Sequence, residues 1–529
     1  MSPQSASTIP GLLQHSLQRF PEKHVWVADA DGSLVPRTFA ETYGRCLRLM
    51  SGLRALGVKR GSRVATLARN VRAHHEAYFA VPSIGGILLT LNARLPAVDV
   101  AAVLRHAQPR VVIAERAFAS VLEEALVATA WTVSVVWIED GERDSTSPSE
   151  IHYESFLSAH EPAEVFDSVQ ETDGAGLCYT SGTTGEPKGV LYSHGTLTKH
   201  AWTLGNRDGF GLSRRSRVMP FVPLFHANGW GLAHGAALLG YDLVYPGPIP
   251  PGARALALMR EANVTVAAGV PSVWTLLLRA EEKTGGGFGA LQEAIVGGAA
   301  ATAGVIDPLV DAGVQPLHSW GMTELAPVGT VNREPGWREP GASRTRMLRQ
   351  GFPNLGMELR VVNEAGQPLP HGQAGALEAR SPYTATSYYK TPPDPNVFKD
   401  GGWFRTGDVG LIEADGALRL VDREKDLIKV GGEFVASLKI EAEALADPSV
   451  AEAAAVSRRD PLRGERPALF LVAREGESID LEALRERLLG TLARWQAPRV
   501  ADCIVIEALP RTGVGKVDKK ELRRRLEMA

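Results

Sequence analysis

Between Tyr179 and Gly189 the chain reads YTSGTTGEPKG. Thr180, Ser181, Thr183 and Thr184 offer hydroxyls, Gly182 and Gly185 allow tight backbone turns, and Lys188 adds one positive charge. Donors crowded on a turning backbone suit phosphate oxygens. A Walker loop, G-x-x-x-x-G-K-[ST], would run straight into a helix whose N-terminus holds the phosphates. Here Pro187 takes the place of the second glycine, Gly189 replaces the magnesium-binding hydroxyl residue, and GVLYS after the loop reads as a strand. The Walker reading fails on all three counts. Taken alone, a short polar glycine loop is most often an ordinary surface turn.

A loop of this kind needs strands to carry it, and GLCYT before it and GVLYS after it have that character. Upstream, TFAETYGRCLRLMSGLRALG has apolar residues at helical spacing and SRVATLA reads as a strand; AVDVAAVLRHAQ and RVVIAE repeat the order. This rhythm predicts an open α/β sheet with helices on its faces. GERDSTSPSE reads as a surface loop, and EKTGGGFG as a second loop ahead of the strand AIVGG. Towards the C-terminus the texture changes: GALRLVDREKDLIKVGGEF predicts short strands around a charged turn, followed by helices alternating with short strands. Roughly a hundred residues remain beyond that turn, enough for a small separate domain, with the boundary near Arg423 and Lys425.

Whole-chain properties narrow the classes. A chain of 529 residues suggests two or three globular units, and 44% hydrophobic with 22% charged residues is a globular balance. A net charge of -3 spread along the chain gives no field to attract nucleic acid. Cys46, Cys178 and Cys503 are widely separated, which excludes a disulfide framework or a zinc site and points to a reducing cytoplasm. The N-terminus lacks a signal-peptide pattern, and no apolar run reaches transmembrane length.

The full string YTSGTTGEPKG resembles the signature loop of the adenylate-forming superfamily, which includes acyl-CoA synthetases, luciferases and peptide-synthetase adenylation domains. MPFVPLFHANGWG, VGGAA, SWGMTEL, WFRTGD, DREKDLIKVGGE and RTGVGK follow in the family's order, so the resemblance spans essentially the whole chain. It implies an α/β fold with a large N-terminal domain of several subdomains, residues 1–423, that contains mixed sheets and helices. A small mobile α+β C-terminal domain, residues 424–529, would carry the catalytic lysine.

The resemblance also implies roles. Thr180, Ser181, Gly182, Thr183, Thr184 and Lys188 would form the ATP phosphate loop. Joining a carboxylate to the α-phosphate brings two anions together and expels a third, which calls for Mg2+. Glu324 is its candidate ligand, with Thr323 beside it; alone, such a pair would read as a helix cap. Gly298, Ala299, Ala300, Ser319, Trp320, Gly321 and Met322 would receive the nucleotide, while Asp408 anchors the ribose hydroxyls and Arg423 joins it. Lys516, thirteen residues from the C-terminus, matches the lysine that stabilises the α-phosphoryl transition state. Reaching that site requires domain closure about a hinge at Lys425. Lys429, Gly431, Gly432 and Phe434 would line the channel for the thiol of CoA. Val430 and Phe434 depart from the commonest acyl-CoA pattern, which has Ser and often Trp there.

For the acyl group, His226 resembles a histidine near the substrate carboxylate, and Gly229, Trp230 and Val270 would form the pocket. Trp230 matches an aromatic gate in long-chain enzymes; a core indole is the equal alternative. PLFHANGWGLAHGAALLG has no acid before Asp242, where amino-acid-activating relatives place one. A buried ammonium would lack a partner, which argues for a carboxylic acid with an apolar tail. FHANGWG, PGP at Pro246 to Pro248 and SWGMTE most resemble the medium- and long-chain fatty acyl-CoA synthetase branch, and this resemblance implies a medium- or long-chain fatty acid. Aromatic or branched acids, or transfer to a carrier protein, stay open as alternatives. The implied partners are ATP, CoA and a small carboxylic acid; a homodimer is as compatible as a monomer.

Overall fold

Thr38 opens the first long helix, Phe39–Ala55, with a reciprocal cap: its hydroxyl accepts the Glu41 N–H while the Glu41 carboxylate accepts the Thr38 N–H. Cys46, Leu49, Met50 and Leu53 form the buried stripe of that helix. SRVATLA supplies the strand Arg63–Leu67, AVDVAAVLRHAQ the helix Ala97–Ala107, and RVVIAE the strand Val111–Glu115. The computed structural model describes residues 7–29, 31–129, 131–139, 150–180, 187–339, 341–512 and 516–528. All of GERDSTSPSE except Glu150 lies outside the described residues, as do Ser181, Gly182, Thr183 and Thr184.

Repetition of helix and strand builds a seven-stranded sheet in the order Ile151–His152, Ser134–Ile138, Val111–Glu115, Arg63–Leu67, Ile87–Thr90, Gly174–Thr180, Lys188–Ser193. All neighbours are parallel except the last pair. Val111–Glu115 is buried along its whole length, as a parallel strand covered on both faces must be. A second sheet of nine strands includes Glu293–Val296 from AIVGG and its parallel neighbour Gln315–Gly321, which carries SWG.

The chain divides into two compact units: Met1–Ala301, Val305–Glu358 and Arg380–Phe404 form one, while Thr302–Gly304, Leu359–Ala379 and Arg405–Ala529 form the other. Both large sheets belong to the first. In the second, the charged turn is flanked by the strands Leu418–Arg423, Ile428–Val430 and Glu433–Val435. Where short strands are expected beyond it, the chain forms one long antiparallel hairpin, Val450–Asp460 with Gly464–Ala473, and one short strand, Cys503–Val505. Ala453, Ala455, Leu469 and Leu471 enter one apolar cluster and Ala454, Val456, Ala468 and Phe470 another. Both faces are buried, so the polar alternation that marks a half-exposed strand is missing. The architecture is the mixed α/β one expected, a large N-terminal domain followed by a small C-terminal one. Among the described residues no helix is long and apolar enough to cross a membrane.

Candidate active site

The signature stretch is carried by a hairpin. Gly174–Thr180 and Lys188–Ser193 pair antiparallel, with Thr180 opposite Lys188. Lys188 Nζ stands 5.1 Å from the centre of the Tyr388 ring. Tyr388 donates its hydroxyl to Glu324 Oε1 at 2.9 Å, and Tyr192 donates to the Thr323 carbonyl at 2.6 Å. Burial first, and then the Glu324 charge, push the Tyr388 phenol above its ordinary pKa, so it remains a donor. Lys188, Thr323 and Glu324 thus share one neighbourhood, linked by two tyrosines that no motif points to. Tyr388 lies 64 residues beyond Glu324 with no spacing that ties them.

Gly321 ends its strand where a Cβ would sit 1.9 Å from the Pro327 carbonyl oxygen. Only glycine fits this approach, and it sets Thr323–Leu325 as a short helical turn. Gly297 and Gly298 allow close approaches: a Cβ at Gly297 would lie 2.5 Å from Ser319 Oγ and 2.9 Å from the Trp230 ring, and one at Gly298 3.0 Å from Val270 Cγ1. Ala299 and Ala300 are exposed beside them, and Trp320 packs over Gly329. His318, missed by motif reading, holds this turn: Nε2 accepts the Ala301 N–H at 3.2 Å while Nδ1 stands 3.0 Å from the Leu348 carbonyl. The proton therefore sits on Nδ1, and burial lowers the pKa to about 4.

Trp230 itself is 5% exposed and lies in a run, Ala227 to Gly231, whose φ angles all fall between +40° and +73°. The run is held from outside. Asn228 Oδ1 accepts the Cys178 thiol at 3.2 Å, and a Cβ at Gly231 would lie 2.6 Å from His200 Nδ1. Asn70 bonds the Pro220 and Val222 carbonyls and the Leu224 N–H just upstream. Gly229 packs on Leu224, and the half-buried His226 precedes the run.

The second unit holds the remaining candidates. Asp408 and Arg423 face each other across a hairpin, with Arg423 Nε 3.5 Å from Asp408 Oδ1. Lys425 and Lys429 are exposed. Gly431 and Gly432, with φ of +61° and +96°, form a two-residue hairpin turn open to its surroundings, and Lys429 lies 5.8 Å from the ring of the half-exposed Phe434. A groove of about 700 Å³ lies there, lined in part by Lys429, Gly432, Arg459 and Arg463. Arg458 and Arg466 pair with the buried Asp502, whereas the guanidinium groups of Arg459 and Arg463 have no ion-pair partner among the described residues. Lys516 is half-buried and precedes Val517, which forms a bridge to Arg511; Gly513, Val514 and Gly515 lie outside the described residues.

Residues 13–389 match the family of AMP-binding enzymes and residues 439–516 the AMP-binding enzyme C-terminal domain. The chain is 35% identical to a medium-chain-fatty-acid–CoA ligase of Ectopseudomonas oleovorans, over 97% of this chain and 95% of the relative. It is 36% identical to a 3-methylmercaptopropionyl-CoA ligase of Ruegeria pomeroyi (97% and 96% covered) and 37% to a long-chain-fatty-acid–CoA ligase of Thermus thermophilus (97% and 94%). Its fold matches that of an anthranilate CoA ligase in complex with anthranoyl-AMP, with a TM-score of 0.88 and 23% identity over 99% of both chains. The chain therefore belongs to the AMP-binding, adenylate-forming enzyme family, near its medium- and long-chain fatty acyl-CoA ligases.

Proposed function

We propose that this chain is an ATP-dependent carboxylic acid–CoA ligase whose substrate is a medium- or long-chain fatty acid. The observation that carries an apolar-tailed acid over an amino acid is the state of Asp242. It is the first acid after His226 in the chain, and its carboxylate is already engaged: Oδ1 accepts the His24 N–H at 2.9 Å and Oδ2 lies 3.2 Å from Arg217 Nη2. It is not available to pair a substrate ammonium. Trp230, Val270, Gly229 and Gly298 offer an apolar wall instead.

In the first step the carboxylate attacks the α-phosphorus as the bond to pyrophosphate breaks, giving acyl-adenylate. The loop from Thr180 to Lys188 receives the pyrophosphate, and the strand and turn at Gly298–Ala300 and Ser319–Met322 receive the adenine side. Asp408 accepts the ribose hydroxyls with Arg423 beside it, and His226 stands at the substrate carboxylate. Lys516 places its charge at the α-phosphoryl group. Thr323 and Glu324 would supply hard oxygen donors that suit Mg2+, and Tyr388 orients the Glu324 carboxylate. When bound, the ion neutralises phosphate charge.

In the second step the CoA sulfur attacks the acyl carbon and AMP leaves. Residues 424–529 turn about Lys425 between the steps, exchanging Lys516 for the Lys429–Phe434 channel. Lys429, Arg459 and Arg463 share the groove with Asp460 and Glu465, but Asp460 is paired with Arg466 and Glu465 accepts the Lys429 N–H, which leaves the two guanidinium groups to favour free CoA, with its phosphates, as acceptor. A cytoplasmic setting fits the three buried free thiols. The test is pyrophosphate release across a panel of carboxylic acids, with CoA, with an acyl carrier protein, or with neither. Fatty acids plus CoA should give the fastest turnover, with AMP as product. Preference for an aromatic or amino acid, or for the carrier protein, would overturn the corresponding half of the proposal.

A further inference from the structure

A buried ion pair stands three residues after Lys516. Lys519, the first residue of the helix Lys519–Met528, lies with Nζ 2.7 Å from Glu441 Oε1 and donates to Ser437 Oγ at 2.6 Å. Each charged side chain is only 13% exposed. Glu441 Oε1 also accepts the Ala455 N–H, and the Ser437 N–H is bound by Asp422 Oδ2. The helix Ser437–Leu445 and the strand Leu418–Arg423 thus each bring a carboxylate to the cluster, Glu441 to Lys519 and Asp422 to Ser437, with Lys519 as its cation. One turn further along the same face, Arg523 donates to Asp426 Oδ1 at 2.6 Å and to the Lys425 carbonyl at 3.2 Å. The helix is fastened at two points: through Lys519 to Ser437 and Glu441, and through Arg523 to Lys425 and Asp426.

Burying a Lys–Glu pair contributes little net stability over an apolar pair, but it is geometrically exacting. Three residues of chain span at most about 10 Å, so a shift of the Lys519 anchor passes directly to Lys516. The intervening chain is short of slack at its other end as well, where the Lys516 carbonyl accepts the Thr512 N–H at 2.8 Å and the Asp518 N–H bonds the Pro510 carbonyl at 2.8 Å.

We propose that Lys519 is a positioning residue for acyl-adenylate formation: its bonds to Glu441 and Ser437 set the place of Lys516, three residues before it. This rests on the assignment of Lys516 above. The test measures the two half-reactions separately, as pyrophosphate formed from ATP and fatty acid and thioester formed from supplied acyl-adenylate and CoA. Lys519→Gln should slow the first by roughly tenfold or more while KM for ATP and the second half-reaction stay within about twofold. Lys519→Arg, which keeps the cation, should restore most of the first rate. The double variant Lys519→Met, Glu441→Leu removes the buried charges together, and carries the test should Lys519→Gln not fold; it too should be slow in the first half-reaction alone. Equal loss of both half-reactions, an unchanged first step in Lys519→Gln, or full recovery in the double variant would overturn the proposal. Lys516→Ala run in parallel separates the two readings: if it forms pyrophosphate normally, the Lys516 assignment fails.

Discussion

Trp230 shows how much a single side chain depends on its surroundings. A bulky residue at positive φ costs on the order of 1–3 kcal/mol, and here it lies within five consecutive left-handed residues. The cost is offset by the Cys178 bond to Asn228 and by the close packing of Gly231 on His200. What this conformation achieves is an indole laid against Gly297 and Gly298, where the proposed function puts the acyl chain. Trp230→Ala is expected to move the preferred chain length upward, read as kcat/KM across a series of fatty acids of increasing length. An unchanged profile would return Trp230 to the role of a core indole. Lys516→Ala is expected to lower pyrophosphate formation by about a hundredfold or more while sparing thioester formation from supplied acyl-adenylate. Loss of both alike would remove Lys516 from the first step.

Among elements, the strand Gln315–Gly321 governs the polar end of the site. Its last residue meets only backbone: a Cβ on Gly321 would lie 1.9 Å from the Pro327 oxygen and 3.0 Å from the Gly329 nitrogen. Backbone cannot swing aside as a flexible side chain can. Gly321→Ala should therefore destabilise by about 3 kcal/mol or more and displace Thr323 and Glu324, lowering the denaturant midpoint and the adenylation rate together. A variant with wild-type midpoint and rate would refute the close approach. The signature hairpin was legible from GLCYT and GVLYS because a loop between two strands leaves its mark in local pattern. The Tyr192 and Tyr388 bonds were not, since hydroxyls that reach across 131 and 64 residues leave none.

At the scale of the molecule, the N-terminal unit buries His74, His75, His194, His200, His234 and His318. Burial lowers their pKa values from 6.5 to about 3 for His75 and His200 and to about 4 for the others. With folded values below the unfolded ones, the unfolded chain binds more protons in acid. Their contribution to stability is complete above pH 6.5 and is lost as pH falls from there towards 4, each group adding a slope of up to about 1.4 kcal/mol per pH unit. The denaturation midpoint of this unit should accordingly fall between about pH 7 and pH 5, more steeply than one proton explains. A flat profile would mean that these rings are not held neutral.

Motif order, the strand–loop–strand form of the signature stretch, the glycines at Gly297, Gly298 and Gly321, and the two-domain class were determined by the sequence alone, because each rests on residue type and short spacing. The tertiary structure decided which side chains support them. It committed Asp242 to Arg217, turned Tyr388 to Glu324, set His318 under the Gly298 turn, and buried Lys519 with Glu441. Such pairings depend on where distant elements pack, and that is set by the core as a whole rather than by any local pattern.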